Sequence, residues 1–78
     1  MSPTIFRYKG YRFFFFSREE DRMHVHVMHA EGEAKIWLEP EIEYHSSIGL
    51  SKKQIKEIIN QIKEHEDEIR EHWHNHFG

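Results

Sequence analysis

From Thr4 to Ser17 the chain reads TIFRYKGYRFFFFS, a run dense in apolar and aromatic residues and broken only at Lys9-Gly10. Glycine tolerates positive φ, so the break predicts a two-residue turn and the run a β-hairpin. With Lys9 and Gly10 in the turn, Tyr8 faces Tyr11, Arg7 faces Arg12, Phe6 faces Phe13 and Ile5 faces Phe14. One face then carries Phe6, Tyr8, Tyr11, Phe13 and Phe15, and the other Ile5, Arg7, Arg12, Phe14 and Phe16.

A polar loop, SREEDR over 17–22, precedes a second alternating run, MHVHVMHAEGEAKIWLEP. The period of two from Met23 to Met28 predicts a strand, and Glu31-Gly32 predicts the turn of a second hairpin. In that register Val27 faces Ile36 and Val25 faces Leu38, making an apolar face with Met23. The reverse face sets His24, His26 and Met28 opposite Glu39, Trp37 and Lys35.

Residues 40–50 open with a proline that lacks a ladder donor and contain Gly49 near their end, so they predict a connection with at most a short strand at Glu41 to Tyr44. The helix signal after them is sharp. Ser51-Lys52-Lys53-Gln54 fits a capping box and Leu50 with Ile55 a hydrophobic staple. Ile55, Ile58, Ile59, Ile62, Ile69 and Trp73 then recur at helical spacing, predicting one helix over 51–77.

These elements predict an α+β fold. A four-stranded antiparallel sheet, made of two hairpins over 4–39, packs against one long C-terminal helix as a two-layer sandwich, with 1–78 a single domain. The second sheet face has no covering layer in this chain. It must be polar, functional, or buried against another copy or a partner.

Composition narrows the chemistry. With 78 residues there is room for one core, since a chain of this size buries only about 60% of its unfolded surface. Eleven aromatic residues (six Phe, three Tyr, two Trp) supply that core although 32% of the chain is charged. The absence of cysteine excludes disulfides, a thiolate nucleophile and cysteine-based zinc knuckles. No apolar run approaches the roughly 18 residues of a membrane span, and MSPTIF lacks the pattern of a signal peptide, so a soluble cytoplasmic protein is expected. Residues 1–30 hold five Arg or Lys against three acids, and residues 31–78 hold six against eleven. That split argues against a uniformly basic nucleic-acid binder but leaves a basic patch near the amino terminus.

Eight histidines in 78 residues are the compositional outlier. His24 and His26 project from one strand face with Cβ atoms roughly 7 Å apart. With Glu39 opposite His24, the three residues could hold zinc or another transition metal and leave a position open for water. The same pair could act as general acid and base in phosphodiester cleavage, since neutral and protonated imidazole coexist near neutral pH. Alternating histidines also describe a half-exposed sheet face stacked on Trp37, a purely structural role. Arg7 and Arg12 repel across the hairpin unless an anion or carboxylate lies between them, so they, with Lys35 and Trp37, are binding candidates.

On the helix His65, His72 and His76 share one flank. The segment HWHNH lacks the HExxH pattern of zinc proteases, and late-helix histidines also suit the negative end of the helix dipole. Glu66 falls within the isoleucine stripe. It needs a partner, an arginine of the first hairpin or a histidine, unless the stripe leaves the sheet there.

Taken together, TIFRYKGYRFFFFS, HVHV, GEAKIWLEP and the helix ending in WHNHFG resemble the domain-of-unknown-function 4160 family across almost the whole chain. Members typically carry proline before HVHV, where this chain has Met23. The resemblance implies a small prokaryotic domain of unassigned biochemistry, often encoded beside another small protein in toxin–antitoxin-like pairs. It transfers no role to His24 or His26. Three functions follow as expectations. One is a non-catalytic interaction module with a small protein partner encoded nearby, or a homo-oligomer through the open sheet face. The second is a ribonuclease-like toxin acting on RNA through His24 and His26. The third is a histidine-based metal protein.

Overall fold

The computed structural model describes residues 4–15 and 22–77. Among them five strands, β1 (Thr4–Tyr8), β2 (Tyr11–Phe14), β3 (His24–His29), β4 (Gly32–Trp37) and β5 (Glu43–Ile48), form one antiparallel sheet in chain order. Two helices, α1 (Lys52–Glu64) and α2 (Glu66–Phe77), pack on one of its faces. The α+β architecture is as expected, but with a fifth strand and with the helix divided in two. Phe16 and the polar loop, apart from Arg22, lie outside the described residues.

The first hairpin turns at Lys9 (φ 45°) and Gly10 (φ 83°), two left-handed residues whose twist matches that of the flanking strands. Tyr8–Tyr11, Arg7–Arg12 and Phe6–Phe13 pair as expected; beyond them Thr4, not Ile5, pairs with Phe14. A bulge absorbs the slip and turns Ile5 into the core, where its side chain leaves water. Phe6 stays at the core margin, stacked on Phe13 at 4.2 Å.

The second hairpin turns one step earlier than expected, at Ala30-Glu31, with His29 paired to Gly32. Val25 therefore faces Ile36, Val27 faces Ala34 and His24 faces Trp37, two positions away from Glu39. Because the pleat repeats every two residues, an offset of two leaves each side chain on its expected face. Gly32 is required for a different reason. A Cβ there would strike the Ile48 carbonyl, and one on Gly49 (φ 78°) would strike the Glu31 carbonyl, so the end of β5 rests directly on this turn.

β5 takes the place of most of the expected connection; the short strand expected at Glu41 to Tyr44 instead runs from Glu43 to Ile48. It pairs with β4 from Glu33–Ile48 to Trp37–Glu43, with a bulge that leaves His45 as the extra residue between Ser46 and Tyr44. Tyr44 and Ser47 pair with the buried core residues Ile36 and Ala34, which puts both on the helix-bearing face.

α1 starts as expected. Ser51 Oγ accepts the Gln54 N–H at 3.1 Å and Gln54 Oε1 accepts the Ser51 N–H at 2.8 Å, satisfying two orphan donors. The helix stops at His65 (φ −112°, ψ 19°), whose N–H reaches both Gln61 and Ile62 carbonyls and whose ring Nδ1 donates to the Gln61 carbonyl at 2.9 Å. The ring stacks on Phe6 at 4.1 Å, so a core contact holds the interruption in place. Ile58, Ile62 and Ile69 are fully buried, and Trp73 nearly so, which shows that the apolar stripe survives the break. The partner of Glu66 is Arg70 on its own helix, at 2.9 Å. The same guanidinium donates to the Leu38 carbonyl at 2.7 Å and ties α2 to the end of β4.

Candidate functional site

The face of the sheet turned away from the helices is organised in cross-strand rows. Phe14, His26, Lys35 and Ser46 form one, and Arg12, Met28, Glu33 and Ile48 the next. The third runs from His24 to Trp37 and Glu43. Arg12, Lys35, Trp37, His24 and His26 are thus assembled on one surface, as the alternation requires. Arg7 stands opposite Arg12 but exposed. The Arg12 guanidinium turns away from it, over Phe14 at 4.5 Å and onto Thr4 Oγ1 at 2.7 Å, so no anion is needed between the two arginines.

Trp37 is 9% exposed because cations cover it. Arg22 lies 4.2 Å and Lys35 4.7 Å from its ring centroid, and His45 stands edge-on at 5.1 Å. Arg22 is itself fixed by the Glu39 carbonyl at 2.6 Å and the Glu43 carboxylate at 2.7 Å. This is a closed stack of mixed charge rather than a bare aromatic platform.

His24 is 1% exposed. Its Nδ1 lies 2.7 Å from the Arg22 carbonyl, which can only accept, so in the neutral ring the proton sits on Nδ1. Trp37, Trp73 and His26 surround the ring, with centroids at 5.7, 5.4 and 5.3 Å. His26 is half-buried and stacked on Phe14 at 5.7 Å. Of the two expected acid–base candidates, His24 is therefore buried, with Trp73 of α2 against its ring, and His26 is half-buried.

The expected metal set loses its geometry with the register. Glu39 is exposed beyond the end of β4 and offers Arg22 a carbonyl, while Trp37 occupies the place opposite His24. Among the described residues no group of three or more His, Asp or Glu side chains is placed to hold a metal ion. His72 and His76 are exposed on α2, and His65 serves the helix break. His29 supports the second turn, with Nδ1 accepting the Glu31 N–H at 3.1 Å. His45 is exposed, as its expected solvation requires, and hydrogen-bonds Ser46 Oγ at 2.7 Å.

What the sequence did not announce lies around β5. Ile48, Tyr44 and Met28 are 72%, 46% and 43% exposed; Tyr44, paired with Ile36, lies on the helix-bearing face of β5, whereas Ile48 and Met28 share a row on the opposite face. On the helix-bearing side α1 does not cover β5, and a groove of about 560 Å³ runs between them. Leu50, Ile55 and Ile59 supply its apolar lining; Lys52, Lys56 and Lys63 supply its charge. The lysine spacing of four and seven along a strong helix was the available signal, but without β5 it had no counterpart across a groove.

The Domain of unknown function (DUF4160) family model matches residues 10–74, from the first turn to the second half of α2. Comparison with curated proteins and with solved structures returns no match. The match spans the turn glycine, the HVHV strand and the divided helix, and on that extent the chain belongs to the domain-of-unknown-function 4160 family.

Proposed function

We propose that this domain is a cytoplasmic protein-interaction module, one component of a toxin–antitoxin-like pair whose other member is a small protein encoded nearby. The observation that carries the reading is the exposure of large apolar side chains on β5, Tyr44 on its helix-bearing face and Ile48 on the other, where the described residues otherwise bury their large apolar groups well. The burial of His24 supports it too, because a general acid or base needs a path to its substrate.

Co-expression with the neighbouring gene product and native mass measurement test the proposal. The expected result is a heteromeric complex that Ile48→Lys weakens without lowering thermal stability. A wild-type chain that stays monomeric, or that forms only copies of itself, overturns it.

Ribonuclease activity is a second reading, favoured by one observation. His26 sits between Phe14 and Lys35 in a row, with Arg12 on the neighbouring row of the same face. Incubation with RNA decides: cleavage lost in His26→Ala supports the reading, and cleavage unchanged in that variant removes it.

A further inference from the structure

We infer that the groove between β5 and α1 receives an acidic amphipathic helix of the partner protein, an assignment that rests on the interaction-module reading and adds the chemistry of what binds.

The groove lies within the helical layer. Tyr44 and Ser47 occupy core-facing positions of β5, paired with the buried Ile36 and Ala34, yet Tyr44 remains 46% exposed because no helix among the described residues covers it. Leu50, Ile55 and Ile59 are half-buried beside them, so the core continues to the groove and stops there. An element that lay next to α1 would complete the layer. A helix about 10 Å across suits that position, since neighbouring helices pack with axes roughly 8–10 Å apart.

Charge selects the kind of helix. Lys52, Lys56 and Lys63 lie on one flank of α1 and span about 16 Å, three helical turns. Among the described residues no ion pair engages them. The first turn of α1 holds Lys52 and Lys53 and no acidic residue, although the helix dipole favours acids there. Lys52 and Lys56 also repel as a like-charged i, i+4 pair. The chain, with a net charge of −3, thus keeps an unfavourable local arrangement that glutamates or aspartates of a bound helix would neutralise.

Other occupants fit less well. The acidic segment of a second copy belongs to α2, whose Ile69 and Trp73 are already buried in its own core, so it could offer charge but no apolar face. A single-stranded nucleic acid would find one aromatic ring, Tyr44, for stacking. A membrane surface requires apolar groups that protrude, and these line a depression.

The test uses a dye-labelled, end-capped peptide of about three helical turns, with leucine on one face and glutamate on its flanks, and fluorescence anisotropy at low salt. The wild-type domain is expected to bind it. Lys56→Glu/Lys63→Glu, both at exposed positions, should weaken binding at least about tenfold, and Ile59→Ser should weaken it with the fold verified by circular dichroism. A matched peptide with lysine for glutamate should bind the charge-reversed variant and not the wild type. Absence of wild-type binding, equal binding by the variants, or preference for poly(U) RNA or anionic vesicles over the peptide overturns the assignment. The gene-neighbour complex separates the two readings: if it forms equally well with Lys56→Glu/Lys63→Glu, the groove assignment fails and the interaction module stands. If it does not form with the wild type, the interaction reading itself fails.

Discussion

The end of the sheet at His24 and the margin at β5 are opposite in character. At His24, Trp73 of α2 meets Phe15 at 5.1 Å and His24 at 5.4 Å, and a polar ring becomes part of the interior. At β5, two core-facing positions, Tyr44 and Ser47, remain open because α1 runs past them, and Ile48 is exposed on the opposite face. The neighbours that pack around a side chain, more than its type, decide whether it is available to another molecule. A histidine pair that composition marks for chemistry is largely enclosed, and a strand with little apolar pattern forms the more accessible surface.

Four measurements would break or sharpen this contrast. Trp73→Ala removes the lid of the closed end, and its cost should fall near the 3–5 kcal/mol typical of large aromatic truncations, read from denaturant unfolding. A loss below about 1 kcal/mol would mean that the end is not closed as described. His24→Ala should cost about 2 kcal/mol, from lost packing and from a part-buried Arg22 carbonyl left without its donor.

Titration gives a smaller effect. Burial pushes the Tyr11 phenol above its ordinary pKa of 10.0, with the Glu57 charge adding to the shift. The folded state then holds the phenolic proton more tightly than the unfolded state. The resulting stability is fully present below pH 10.0 and is lost as pH rises from there through the folded pKa. Tyr11→Phe should flatten that alkaline decline in equilibrium unfolding followed against pH. The smallest change is expected at the open margin, where Ile48→Lys should shift stability by less than about 0.5 kcal/mol.

The faces of β2, β3 and β4 were legible in the sequence because burial on one side imposes a period of two, and an error of two in the hairpin register left that period intact. The turn itself was misread at Gly32. Its missing side chain serves the approach of β5, and nothing local separates that need from a turn. β5 was illegible for a related reason. EYHSSI lacks apolar alternation because its helix-side positions face the groove. The break at His65 was hidden by Ile62 and Ile69, whose seven-residue spacing keeps one apolar face across an interruption. Of the candidate site, the alternation places His24, His26, Lys35 and Trp37 on one face, but it does not reveal that His24 is buried, with Trp73 against its ring.

Both irregularities of the sheet fall on its outermost pairings, one at Ile5 in β1 and one at His45 in β5. An unprotected sheet border invites endless growth, each molecule extending the ladder of the last. Here each border is kinked, so a neighbour approaching edge to edge would find donors and acceptors out of step. The kinked borders oppose the fibre that an open margin would otherwise seed.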